Sequence, residues 1–124
     1  MDITPAISKD QYYITSYTAS SFRINQELIS GSLILMPDFL EAWQIKNDEM
    51  LCLKDFDVIN RDALPEIILL GTGKLFIPLP LSIIDTLKQE NIFIEVMDTP
   101  AACRTYNVLL SEGRNVLAML RQAT

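Results

Sequence analysis

The sequence predicts an α/β domain: a central mixed, mainly parallel sheet flanked by helices, with an added N-terminal antiparallel β layer. Three observations predict it. Strand-like apolar runs recur at 66–70, 92–97 and 115–120, each of strand length, and the first is continuously apolar after Glu66, as in strands covered on both faces. Helical patterns separate them, so the second half reads β-α-β-α-β, which calls for parallel strands and right-handed crossovers. Residues 12–36 instead alternate aromatic and β-branched pieces with turn residues, the pattern of antiparallel hairpins.

The elements follow in order. "YYITSYT" (12–18) is a strand and "ASS" a turn. "FRIN" and "ELIS" are short strands. "SLILM" (32–36) follows Gly31 and stops at Pro37 and Asp38. "EAWQI" (41–45) is read as a continuation, with Trp43 packed in the core or under a loop. Residues 48–60 change period and are read as a short helix. "EIILL" (66–70) runs into "GTGK", and "LFIPLP" is an extended, proline-punctuated link. "LSIIDTLKQE" sets Ile83, Ile84 and Leu87 on one helical face, and Asn91 stops it. "IFIEVM" is a strand, "PAACRTYNVLLSE" a helix closed by Gly113, and "NVLAML" the last strand. With 124 residues and no repeat, linker or low-complexity tract, residues 1–124 form a single domain.

Composition excludes several functions. The net charge is −6, and residues 38–57 hold Asp38, Glu41, Asp48, Glu49, Asp55 and Asp57 against Lys46 and Lys54. Such a face repels phosphate backbones, which argues against nucleic acid as a partner. No histidine is present, so Ser-His-Asp and Cys-His catalysis within this chain is excluded. Cys52 and Cys103 are too few for a structural zinc site, and no metal or cofactor is expected. No apolar run reaches the ~18 residues of a membrane span. The N-terminus, with Asp2, Lys9 and Asp10, matches neither a signal peptide nor an Arg-rich presequence. The chain is expected to be cytoplasmic with reduced thiols. Its 49% hydrophobic content hints at an interface, either a homodimer or a docking face.

Three features could carry chemistry. Gly71-Thr72-Gly73-Lys74 follows a strand, but the positions that a P-loop or dinucleotide fingerprint requires hold Ile68, Leu75 and Phe76. What is left is a glycine turn, or a nest of N–H groups for an anion. Glu95 shares a strand face with Phe93 and Met97; covered, it needs a partner or a raised pKa, and at the sheet rim it is ordinary. In "VMDTPAACRTYN" (96–107), Thr99 is placed as the N-cap and Pro100 at the first helical position. The free N–H groups of that turn make an anion site, unless Asp98 fills it. Cys103 is read as a packing residue, because no base is at hand. Ala102, Tyr106 and Leu109 form the apolar helix face; Arg104, Asn107 and Ser111 form a polar strip of the kind normally solvated.

"ILLGTGKLFIPLP" followed by "IEVMDTPAACRTYNVLLSEGRNVLAML" resembles a family of small single-domain proteins of unknown function. That family includes a mitochondrial assembly factor for respiratory complex I and an adipogenesis-associated protein. The resemblance extends through "SFRIN", "GSLILMP" and Trp43. It implies a compact α/β domain and a binding role, and no catalytic mechanism comes with it. Two functions fit these residues and the resemblance. The favoured one is a non-enzymatic protein-interaction or assembly module, by resemblance linked to respiratory complex biogenesis, with a protein partner and with peripheral membrane contact left open. The alternative is binding of a small anionic metabolite by Gly71, Thr72, Gly73, Lys74, Glu95, Asp98, Thr99 and Arg104, with an uncharacterised enzymatic activity.

Overall fold

The computed structural model describes residues 10–46 and 49–123. Asp2, Lys9 and Asp48 lie outside the described residues. β1 (Ile14–Tyr17), β2 (Ser21–Ile24) and β3 (Glu27–Ser30) pair antiparallel in that order as the N-terminal layer. Asn25 turns β2 into β3 with φ of 56°, a conformation that asparagine tolerates because its short side chain bonds locally. Its carboxamide accepts from the Tyr13 N–H (2.9 Å) and donates to the Gln11 carbonyl (3.2 Å).

β4 (Leu33–Met36), β5 (Phe39–Ala42), β6 (Ile67–Gly71), β7 (Ile94–Met97) and β8 (Val116–Leu120) form the central sheet, ordered β5-β4-β8-β6-β7. It is mixed, as expected. β6 pairs parallel with β7 and β8, while β4 pairs antiparallel with β5 and β8. The last strand therefore sits in the middle and is buried along its whole length.

The sheet separates two apolar layers by the period-2 alternation of its strands. Leu35, Leu69, Ala118 and Leu120 face α2 (Thr99–Ser111) and the N-terminal layer. Ile34, Ile68, Leu70, Leu117 and Met119 face α1 (Leu81–Lys88). Asn91 ends the α1 segment with φ of 61°, and the Ile92 N–H returns to the Leu87 carbonyl. Gly113 closes α2: its N–H bonds the Leu110 carbonyl and that of Arg114 the Leu109 carbonyl, a Schellman closure.

Two expectations are corrected. The segment read as a short helix, 48–60, holds among its described residues, 49–60, a single 3-10 turn, Leu53–Phe56. The Asp55 carboxylate accepts the Cys52 N–H (2.8 Å), and the Arg61 guanidinium donates to the Phe56 and Ile59 carbonyls (2.6 and 2.9 Å). Side chains thus take the backbone groups that a longer helix would pair, while Phe56 and Ile59 anchor the loop in the α1-side core. "EAWQI" continues the strand only to Ala42. Trp43 lies half-buried against the α1-side core.

Candidate functional site

The region the sequence singled out is a joint between β6 and α2. β6 ends at Gly71, paired with Met97 and Leu120. A Cβ added there would lie 2.9 Å from Thr99 Oγ1 and 3.2 Å from Ala102 Cβ, so glycine is what lets α2 approach the sheet. Gly73 takes φ of 110°, which returns the chain toward the helix start. Its N–H donates to Thr99 Oγ1 (2.9 Å), its carbonyl accepts the Thr99 N–H (2.8 Å), and the Thr99 hydroxyl donates to the Arg121 carbonyl (2.6 Å). Thr99 is fully buried.

The helix start is shifted by one residue from the expectation. Asp98 is the N-cap, and its carboxylate accepts the Ala101 N–H at 2.8 Å. Thr99 is the first helical residue; its N–H faces Gly73 and leaves its side chain to lock the loop. Pro100 has no N–H, and that of Ala102 already bonds the Asp98 carbonyl. The donors of this turn are all engaged within the chain, so an anion here would have to displace the Asp98 carboxylate. Replacing Asp98 with alanine is expected to lower stability by about 1 kcal/mol. Asparagine should lose only a few tenths; urea unfolding of both variants separates capping from charge.

The remaining candidates take no part in this network. Lys74 is exposed, Arg104 is on the outward face of α2, and Glu95 is exposed on the edge strand β7. The structure brings Gly71, Gly73, Asp98 and Thr99 together, with Thr72 adjoining them, and leaves Lys74, Glu95 and Arg104 outside that joint.

Cys103 is fully buried, and burial pushes its thiol up to about 12 despite the nearby Arg104 charge. Cys52 is exposed, and both cysteines are free. A thiol reagent at neutral pH is expected to label Cys52 at once and Cys103 only after denaturation. The same shift predicts alkaline weakening. Below the unfolded thiol's pKa both states keep the proton, and stability is unaffected. As pH rises from there toward 12, the unfolded chain ionises first, and stability falls by about 1.4 kcal/mol per pH unit for this thiol. Urea midpoints measured from pH 8 to 11 should fall, and less steeply in Cys103→Ala. Tyr106 is shifted upward as well, by burial and then by the Asp38 charge, so some slope survives in that variant.

Asn107 departs from the expected polar strip. It is buried, and its carboxamide spans both backbone groups of Ile14: Oδ1 accepts the N–H at 3.0 Å and Nδ2 donates to the carbonyl at 2.6 Å. Tyr106 adds a bond from its hydroxyl to the Tyr12 carbonyl (2.8 Å). These two side chains fasten the N-terminal layer to α2. Arg104 and Ser111 are exposed, as the strip predicts.

The surface feature that sequence reasoning missed is the "LFIPLP" link. Leu75, Phe76, Ile77 and Leu81 are 71, 56, 55 and 69% exposed, all above one half, although the chain has a core in which to bury such groups. The loop is held in place. The Thr72 hydroxyl donates to the Leu75 carbonyl (2.6 Å) and accepts the Ile77 N–H (3.1 Å), while Leu79 is buried in the core. Pro78 and Pro80 fix the intervening backbone in an extended form. Beside this strap lies a cavity of ≈ 180 Å³ whose walls include Met50, Leu51, Ile77, Pro78 and Pro80. The missed signal is a run of large apolar residues with neither helical nor strand spacing, and hence no face to bury.

Fold and site define a small α/β domain that locks its strand-to-helix joint internally and presents an ordered apolar strap to water. The chain belongs to the family described as protein of unknown function (DUF498/DUF598), matched over residues 14–121. It is 31% identical over 103 residues to NADH dehydrogenase (ubiquinone) 1 alpha subcomplex assembly factor 3 of Rattus norvegicus; the match takes in 82% of this chain and 56% of that protein. This chain thus spans little more than half the length of that relative. It is 32% identical over 110 residues to the 13 kDa major membrane protein of Francisella tularensis subsp. holarctica, covering 87% of this chain and 89% of that one. A crystal structure of a Bordetella parapertussis protein superposes with a TM-score of 0.82 at 27% identity, covering 93% of this chain and 98% of that one. Among the described residues, no helix is long and apolar enough to cross a membrane.

Proposed function

We propose that this chain is a protein-interaction module that serves the assembly of a larger complex, a respiratory complex in the first instance. The strap carries the reading. Leu75, Phe76 and Ile77 are exposed although Thr72 and two prolines tie down their backbone, and Leu81 is exposed at the start of α1. Exposed apolar groups of this kind gain free energy by being covered, and a fixed loop loses little entropy when they are. The respiratory link rests on the relative named as an assembly factor. The free thiols of Cys52 and Cys103 favour work in a reducing compartment such as the cytoplasm.

The test is genetic and biochemical. A strain lacking this chain is expected to accumulate respiratory assembly intermediates on native gels. The wild-type chain should restore assembly, and Phe76→Asp with Ile77→Asp should not. Normal assembly in the deletion strain, with the tagged chain recovered alone as a monomer, would sink the proposal.

A further inference from the structure

β5 ends the central sheet on one side, and its register fixes which backbone groups point away from β4. The Trp43 N–H donates to the Ser32 carbonyl at 2.8 Å. Bonded and non-bonded pairs alternate along an antiparallel ladder. Phe39 and Glu41 therefore exchange bonds with Met36 and Ile34, while Leu40 and Ala42 turn their N–H and carbonyl groups outward. Among the described residues, none of those four outward groups has a partner. They are half of a ladder that an added strand would complete.

A cavity of ≈ 320 Å³ adjoins this edge, with Ile34, Met36 and Leu117 of the sheet and Phe39, Val58 and Pro65 among its walls. Side chains of an added strand fall alternately on the two faces of the sheet, so every second one would meet this cavity. The charges here have one sign. Asp38 lines the cavity, and no lysine or arginine does. Glu41 stands opposite Ile34 and so shares the cavity face. Asp57 and Asp62 are exposed next to the lining residues Val58 and Ala63. The nearby cations are matched: Arg61 by the Glu90 carboxylate (3.2 Å), Arg114 by Glu66 and Glu112, and Lys54 by its neighbour Asp55.

That geometry separates the possible occupants. The β5 of a second copy would bring its own Asp38 and Glu41 against these, and like charges across a strand pair are destabilising. Lipid tails offer nothing to the free N–H and carbonyl groups, and anionic headgroups are repelled. An extended protein segment that alternates apolar and basic residues satisfies the backbone, the cavity and the carboxylates together. We infer that the outer edge of β5 receives such a segment of a partner protein as an added strand. This edge shares no lining residue with the cavity beside the strap, so the inference goes beyond the strap reading and does not depend on it.

Two short synthetic peptides with the same alternating valines test it, one with lysine and one with glutamate at the other positions. Each is titrated into the isotope-labelled full chain. The lysine peptide is expected to shift the amides of 38–42 and 58–64, and the glutamate peptide to leave them in place. A lysine peptide N-methylated at every second residue, on the edge that would pair with β5, should lose binding, because the ladder cannot form. Ala42→Pro removes only an outward N–H, a change that an edge strand tolerates, and should weaken the lysine peptide about tenfold or more. Glu41→Lys, also exposed, should weaken it and favour the glutamate peptide. Phe76→Asp should leave its affinity unchanged, which keeps this result separate from any failure at the strap. Equal binding of the lysine and glutamate peptides, full binding of the N-methylated one, or shifts confined to other surfaces would overturn the inference. So would dimerisation of the chain alone, or flotation with phosphatidylglycerol vesicles, if either is lost in Ala42→Pro or Glu41→Lys; the first would assign the edge to a second copy, the second to lipid.

Discussion

Asn107→Leu is expected to loosen the N-terminal β layer while the central sheet persists, at a cost of about 2–5 kcal/mol for two buried backbone groups left unpaired. β1 is an edge strand of its sheet, and the Ile14 N–H and carbonyl both turn toward Asn107 at 3.0 and 2.6 Å. One carboxamide thus does what a neighbouring strand would do for that residue, and it covers the edge. Leucine fills a similar volume but supplies neither donor nor acceptor. Against a typical total stability of about 5–15 kcal/mol, the loss is large. Hydrogen exchange should show faster amides over 12–30, with 67–71 and 116–120 less affected. Asn107→Asp makes a sharper control: it keeps an acceptor for the N–H but sets a second oxygen against the Ile14 carbonyl and buries a charge. It should be at least as damaging as leucine. If both variants unfold at the wild-type urea midpoint, Asn107 does not hold the layers together.

What the sequence disclosed and what it hid divide along physical lines. β6, β8 and the ends of α1 and α2 were legible because local chemistry decides them: a continuous apolar run, an asparagine able to turn left-handed, a glycine that closes a helix. Asn107 was misread because its role is non-local. Its neighbours one turn away include exposed Arg104 and Ser111, but also buried Cys103 and Leu110, so it sits on the boundary of the helical face. Only a strand 93 residues distant decides that it is covered. Residues 49–60 form a loop with one 3-10 turn because Asp55 and Arg61 capture the backbone, a competition that periodicity does not register. The strap was invisible for the opposite reason. An apolar run ordinarily signals burial, and nothing in "LFIPLP" states that it stays in water.

Among the candidate site residues, Gly71, Gly73, Asp98 and Thr99 meet because both loops follow parallel strands at one sheet edge. Their hydrogen bonds give them a different use. Asp98 answers the helix dipole from inside the chain, Thr99 ties the loop to Arg121, and Thr72 holds the strap. The joint is thus the support of the surface proposed to bind, and a substitution in it should be felt at that surface.

Gly71→Val tests that connection and carries the second large effect. A Cβ at this position would stand 2.9 Å from Thr99 Oγ1, 3.1 Å from Thr99 Cα and 3.2 Å from Ala102 Cβ. The first contact is not a free rotor, because the hydroxyl is held between the Gly73 N–H and the Arg121 carbonyl. The second is backbone, so relief requires the start of α2 to move away from the sheet. Overpacking of this kind costs about 1–3 kcal/mol for a small group; alanine should fall in that range, and valine, with two more methyls, above it. Ala102→Gly added to Gly71→Ala should restore only part of the loss, since the Thr99 contacts remain. The two large predictions also differ in where they act. Asn107→Leu disturbs the N-terminal layer and should leave the strap in place. Gly71→Val moves Gly73 and Thr99, and with them the turn from which Thr72 holds Leu75 and Ile77. Amide shifts over 74–77 should therefore change in the Gly71 variant and stay near wild type in the Asn107 variant. If they stay put in both, the strap owes its conformation to Pro78, Pro80 and buried Leu79 alone, and the joint serves only to pack α2.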